Sequence, residues 1–397
     1  VSAAGPLVPP GGPLAARGLG STSSHRRLSV LHVSAATSEG VASVATGYAR
    51  DQLERGWHVT VACPDDGSLG YDVRALGGRV RWWEAGDTSG PALLGEVSRL
   101  RAIVEAVNPD VVHLHSARAG LAGRLAVRDR VPTLFQPHAW AFEATTGRSR
   151  AAWRAWERRA VRWTSELVCV SQRERRLGQE QGISVPTTVL PNGVDLDRFE
   201  AQGDTERRAA RRALGLRQVP TVVCVGRLAL QKGQQDLLAD WPAIRARVPD
   251  AELVLVGDGP DRDFLVRQAA RLDGVGMAGR RADVLPWYAA ADVVVVPSRW
   301  DGMAMVPLEA MAAGRSVVAT DVTGIAESMP EGAGAVVPVG DSAALVDAVV
   351  ERLRDPGMVE DEGWNARTHV ELNHDANRSA RDLARVYLRL VAARRDR

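Results

Sequence analysis

The chain has 397 residues, enough for two domains of ordinary size. Its 50 basic and 48 acidic side chains leave a formal charge of +2, so no global attraction to nucleic acid arises. With 45% hydrophobic and 25% charged residues the composition is globular, and no stretch approaches the ~18 uninterrupted apolar residues of a membrane span.

Residues 1–27 are rich in Pro, Gly, Ala and Ser. They lack the apolar run of a signal peptide and read as a disordered tail. Residues 28–34 form the first buried strand, and a small-residue loop leads into a helix over 42–55. Gly40 at that turn would let backbone approach a ligand phosphate, although the G-x-G-x-x-G dinucleotide fingerprint is missing. Strands follow over 57–63, 80–83, 111–115, 131–135 and 167–171, with an amphipathic helix over 92–107. His113 and His115 share one face of their strand. As a metal pair they lack a third ligand in the sequence, and no metal site is assigned. His138 falls just past the carboxyl end of the 131–135 strand, where a side chain faces a cleft. Cys63, Cys169 and Cys224 sit singly in apolar runs, as buried thiols of a reduced, cytoplasmic compartment do.

Residues 148–176 carry nine arginines against three glutamates. Over 148–163, Trp153, Trp156 and Trp163 lie on one side of a helix and Arg154, Arg158 and Arg162 on another. Two readings stay open: a helix at the inner membrane face drawn to anionic lipid, or a domain helix with a buried Trp face. Val189-Leu190-Pro191-Asn192-Gly193-Val194-Asp195 breaks regular structure and marks a domain boundary. The expected division is therefore 28–188, 189–375 and a final segment 376–397. Asp195 and Asp197 have Asp-x-Asp spacing, but in this connection they read as structural.

The second half restarts the alternation. The strand 221–225 ends in Gly226-Arg227-Leu228, with Lys232-Gly233 ahead of a helix over 235–247. A planar guanidinium, a point charge and two glycines suit a diphosphate. The strand 252–256 runs into Val256-Gly257-Asp258-Gly259-Pro260, and the strand 275–279 into Arg280-Arg281. Then comes the most informative stretch. The run 293–296, the loop Pro297-Ser298-Arg299-Trp300-Asp301-Gly302, a helix from Met305 or Val306 and the strand 316–319 make a βαβ unit. It places Asp301 past a strand's carboxyl end, helix amides beside it and Glu309 early in the helix, an arrangement suited to a sugar joined to a nucleoside diphosphate. Helices over 341–354 and 379–395 complete the chain.

Four strings stand in one order: Gly-Arg-Leu…Lys-Gly, Val-Gly-Asp-Gly-Pro, Pro-Ser-x-x-Asp-Gly and Leu-Glu-Ala-Met-Ala-x-Gly. This resembles glycosyltransferase family 4, retaining enzymes of the GT-B fold, over roughly residues 28–390. The usual acid-x7-Glu pair begins with Glu; here Asp301 keeps the charge and shortens the reach, and Ala304 stands where glycine is frequent.

The resemblance implies an α/β architecture of two doubly wound Rossmann-like domains facing a cleft, with the C-terminal helix crossing back onto the first. It also implies a nucleoside-diphosphate sugar as co-substrate, UDP- or GDP-linked, with no resident cofactor, and an acceptor sugar, in some members lipid-linked. Arg227, Lys232, Gly226 and Gly40 would face the diphosphate, and Gly279, Arg280 and Arg281 the nucleobase. Gly302, Met303, Ala304, Met305 and Val306 would present amides to the donor. Glu309 would bind the ribose, and Asp301 and His138 the donor sugar. The expected chemistry is sugar transfer with retention in cell-surface polysaccharide or glycoconjugate synthesis. The rivals are glycosylation of a soluble small molecule, a sugar-nucleotide 2-epimerase, a nicotinamide dehydrogenase, and a donor-binding protein that has lost turnover.

Overall fold

A computed structural model describes residues 27–86 and 91–396. The tail expected over residues 1–27 lies, apart from Arg27, outside them.

Two all-parallel sheets carry the chain. The first holds β1 (Ser29–Ser34), β2 (His58–Cys63), β3 (Arg79–Trp82), β4 (Val111–His115), β5 (Thr133–Gln136), β6 (Glu166–Cys169) and β7 (Thr187–Val189), in the order β3-β2-β1-β4-β5-β6-β7. The second holds β8 (Thr221–Val225), β9 (Glu252–Val256), β10 (Val275–Gly279), β11 (Val293–Val296), β12 (Ser316–Thr320) and β13 (Gly334–Val337), in the order β10-β9-β8-β11-β12-β13. Central strands such as β11, four valines, are buried on both faces, which is why they read as continuous apolar runs. In each sheet the winding direction reverses beside the first strand. The carboxyl ends of β1 and β4, and of β8 and β11, therefore border crevices where ligands bind in such sheets.

Most expected elements are present with edges moved by one to three residues. The helix expected over 42–55 is Glu39–Glu54, so Gly40 lies within its first turn rather than in the preceding loop. Several helices were not expected, among them Leu69–Ala75, Ser116–Val127, Gln172–Glu180, Asp204–Leu214 and Pro356–Asn373. Ser116–Val127 is rich in Gly and Ala, and a Cβ on Gly120 or Gly123 would overlap Phe135 or Leu114. The small residues that let this helix lie close to the sheet also blur its apolar stripe.

The Trp-Arg segment is the helix Gly147–Ala160 and a short turn, Val161–Trp163. Trp153, Trp156 and Trp163 are half-buried. Between them Glu157 is buried and holds Arg124 through two bonds of 2.8 and 2.9 Å. The tryptophan side thus packs on its own domain, while Arg158, Arg159 and Arg162 are exposed.

The helix Ala376–Arg395 returns to the first sheet's side and packs on Glu39–Glu54. Leu383 and Tyr387 join Tyr48 and Trp57 in one buried cluster, and Arg389 meets Glu166 at 2.7 Å. The chain passes between the two units twice, and the passages touch where Val194 bridges Asp375.

Candidate active site

The loop between β8 and the helix Gln234–Arg247 lies against the loop leaving β11. Gly233 has φ +66, and a Cβ there would overlap the Pro297 carbonyl. The Arg299 amide donates to Gln231 O at 2.8 Å, Gln231 Nε2 donates to Trp300 O at 3.1 Å, and Arg299 grips Asp236 at 2.7 and 2.8 Å. These contacts bring Lys232 Nζ to 2.5 Å from Asp301 Oδ2, with both side chains mostly buried. Arg227 is exposed at the mouth, its Nη2 donating to Gln231 Oε1 at 3.0 Å.

The helix Met305–Ala312 begins behind this pair. Its N-cap residue is Ala304 and no side chain caps it, so its terminus presents uncapped amides. Met303, Ala304 and Met305 are themselves buried. Glu309 Oε2 accepts from Tyr288 OH at 2.8 Å, and burial raises the Glu309 carboxyl above its ordinary range. Gly279 has φ +71 and ends β10; Arg280 and Arg281 after it are exposed, with Arg281 5.6 Å from the Trp287 ring centroid.

The first domain meets this surface at two glycines. A Cβ on Gly302 would overlap the carbonyl oxygen of His138, whose own φ is +60. A Cβ on Gly40 would come 3.1 Å from Met305 Cγ, so Gly40 lies against the other domain's helix start. Asn192 Nδ2 donates to Met303 O at 2.7 Å, and Thr323 Oγ1 to Glu143 Oε1 at 2.7 Å. Glu327 accepts from the Gln172 and Arg173 amides, each at 2.6 Å, at the start of the helix Gln172–Glu180. The contacts of Asn192, Glu143 and Glu327 were not foreseen, because nothing local in sequence marks a residue for a partner over 100 positions away.

Behind His138 lies a buried group that sequence reading missed in part. β1 and β4 pair with His32 opposite His113 and Ser34 opposite His115. His32, His113 and His115 are fully buried, and their nearest ring nitrogens lie within 4.8 Å of one another. His32 is thus the third histidine absent from the His113–His115 reading. His32 Nδ1 and His115 Nε2 are 2.9 Å apart, a hydrogen-bond distance and shorter than the ~3.3 Å that two nitrogens keep around a tetrahedral zinc. His32 Nε2 faces Gln52 Oε1 at 3.0 Å, His115 Nδ1 faces His138 Nε2 at 3.1 Å, and His113 Nδ1 faces Tyr387 OH at 2.7 Å. Burial pushes His32 down to about 4 and His138 to about 3, and holds His113 and His115 well below the ordinary histidine value. All four rings are neutral at pH 7.

Two doubly wound sheets with a cationic loop, an acid and a helix start converging from one domain, and a histidine from the other, define a two-domain transferase of the GT-B class. Residues 38–198 match the family model described as Glycosyltransferase Family 4, and residues 219–355 that described as Glycosyl transferases group 1. The chain belongs to glycosyltransferase family 4, and it is a glycosyltransferase.

It is 30% identical over 258 residues to the lipopolysaccharide core biosynthesis mannosyltransferase LpsB of Rhizobium meliloti (strain 1021), covering 62% of this chain and 72% of that protein. It is 39% identical over 195 residues to the GDP-mannose-dependent alpha-(1-6)-phosphatidylinositol monomannoside mannosyltransferase of Mycolicibacterium smegmatis (strain ATCC 700084 / mc(2)155), 46% of this chain and 50% of that protein. Among solved structures, Anabaena Alr3699/HepE in complex with UDP superposes with a TM-score of 0.76 at 21% identity, over 90% of this chain and 99% of that one. WaaG, a glycosyltransferase of lipopolysaccharide biosynthesis, does so at 0.71 and 18%, over 88% and 98%. These two likenesses concern the fold.

Proposed function

We propose that the protein transfers a sugar from a nucleoside-diphosphate sugar to an acceptor hydroxyl, with retained configuration, in the assembly of a cell-surface polysaccharide or glycolipid. The observation that carries this is the Lys232–Asp301 pair set beside the uncapped start of Met305–Ala312 and under His138. Arg227, Lys232 and the helix amides hold the diphosphate and stabilise its charge as the sugar leaves. Asp301 and His138 take hydroxyls of the donor sugar. Glu309 accepts from the ribose through the oxygen that Tyr288 leaves open, and backbone at Gly279 to Arg281 borders the base.

The acceptor oxygen bonds to the anomeric carbon as the bond from that carbon to the β-phosphate oxygen breaks. A donor phosphate oxygen takes the acceptor proton, giving glycoside and nucleoside diphosphate, so neither a resident cofactor nor an enzymatic nucleophile is assigned. The GDP-mannose and mannosyltransferase relatives favour a GDP-sugar, with a UDP-sugar as the second choice.

The three buried single thiols favour the cytoplasm, and no helix among the described residues is long and apolar enough to cross a membrane. Because the tryptophans of 148–163 pack inward, contact with an anionic membrane there rests on Arg148, Arg158, Arg159 and Arg162. Salt-sensitive co-sedimentation with anionic vesicles, lost when these four become Gln, tests that contact.

The test of function is release of nucleoside diphosphate from a panel of GDP-, UDP-, ADP- and dTDP-sugars, with lipid-phosphate and small-molecule acceptors. Release from one donor, abolished in Glu309→Ala and Lys232→Ala, supports transfer. Donor binding without release under every acceptor condition would overturn it in favour of a protein that binds donor without turnover.

A further inference from the structure

Gln52 Oε1, His32, His115 and His138 form an unbroken line of contacts of 3.0, 2.9 and 3.1 Å from the helix Glu39–Glu54 to the cleft. The inner members are enclosed: Gln52 is 2% exposed and His32 and His115 are fully buried. A neutral imidazole has one N–H and one bare nitrogen, so each contact fixes the next. The amide oxygen of Gln52 only accepts, so His32 donates from Nε2 and its Nδ1 is bare. That Nδ1 accepts from His115 Nε2–H, which leaves His115 Nδ1 bare. His115 Nδ1 in turn accepts from His138 Nε2–H. The polarity set by one amide oxygen reaches the third ring.

We propose that Gln52, His32 and His115 are positioning residues for sugar transfer: as one hydrogen-bonded line they fix His138 as its Nε2–H tautomer, so that its Nδ1 accepts from a hydroxyl of the donor sugar. Two further contacts brace the arrangement. His115 is tilted over His113 at 4.1 Å between ring centroids, and His113 is held by the Tyr387 hydroxyl from Ala376–Arg395. His138 itself is pinned by its left-handed backbone and by Gly302 beneath its carbonyl. An Nδ1–H tautomer would present the sugar with a donor in place of an acceptor.

The sugar contact rests on the transferase reading above; the tautomer does not. The test is long-range 1H–15N correlation on the full-length protein with 15N-labelled histidine, the His138 signals assigned by loss in His138→Asn. The unliganded wild type should show His138 with bare Nδ1 and protonated Nε2. Gln52→Met, which removes the acceptor, should convert His138 to a mixture of tautomers and lower kcat about tenfold or more, with the donor KM little changed. Gln52→Glu, again an acceptor, should keep both the tautomer and most of kcat. A wild-type His138 protonated on Nδ1 overturns the proposal without any variant, as does a Gln52→Met protein with wild-type kcat. If no donor is turned over at all, the transferase reading fails while the tautomer is still read directly.

Discussion

Lys232 and Asp301 neutralise each other at 2.5 Å, so a diphosphate held by Lys232 as proposed would compete with Asp301 for the ammonium. Two substitutions separate their roles. Lys232→Ala removes a charge-assisted contact of ~1.5–3 kcal/mol and should weaken nucleoside-diphosphate binding about tenfold or more by calorimetry. Asp301→Asn frees Lys232, and should strengthen nucleoside-diphosphate binding several-fold while transfer falls. If Asp301→Asn weakens binding as Lys232→Ala does, the pair is a structural bridge.

The buried histidines make a second residue-scale prediction. Their native values lie below that of the unfolded chain, so between about pH 4 and 6.5 the unfolded chain binds more protons. Their contribution is complete above pH 6.5 and is lost as pH falls, at up to about 1.4 kcal/mol per pH unit for each ring. Glu174, raised to about 8 by burial, works the other way, its contribution fading as pH rises from about 4.5 to 8. The histidines outnumber it, so Tm should fall steeply below pH 6. His32→Gln should flatten that fall; an equally steep fall in the variant would exclude His32 as a cause.

At the scale of elements, the site is two loops stitched together and touched by a third. Gly302 is the touching point, and a methyl there meets the His138 carbonyl rather than a yielding side chain. Gly302→Ala should leave Tm within a few degrees yet cut kcat at least about tenfold, because the His138 loop is displaced from the donor site. An unchanged kcat would show that the approach of these loops is dispensable.

The loops also show what sequence makes legible. The unit from Val293 to Thr320 was readable because strand, loop, acid and helix are contiguous, each with its own local signal. The Gly226 to Gly233 loop was readable for the same reason. Gln52, His32 and Tyr387 were not, since their meaning arises from parallel pairing and helix docking across 20 to 274 positions. A glycine near a strand's end signals close approach, but that Gly40 approaches Met305 is not legible, because the two lie in different domains.

For the whole molecule, polar contacts between the domains supplement one apolar cluster that contains residues of both. Glu327 bonds two amides of the first domain and Arg173 meets Asp321 at 3.0 Å. These are exposed, so each contributes modestly. Glu327→Ala should enlarge the radius of gyration in X-ray scattering without donor and raise the donor KM about fivefold, as expected for a loss of about 1 kcal/mol. No change in either quantity would mean that closure rests on the apolar cluster, Asn192, Glu143 and the glycine contacts instead.

The return of Ala376–Arg395 to the first sheet also governs how the protein is made. Tyr387 covers His113 on β4 and completes a cluster begun by Val30 and Tyr48. On the ribosome, residues from the start of that cluster wait through the synthesis of an entire second sheet before their cover emerges. Of the two domains, the first is thus translated earlier and finished later. A stop codon just before this helix would be felt first at the histidines, far upstream of the lesion.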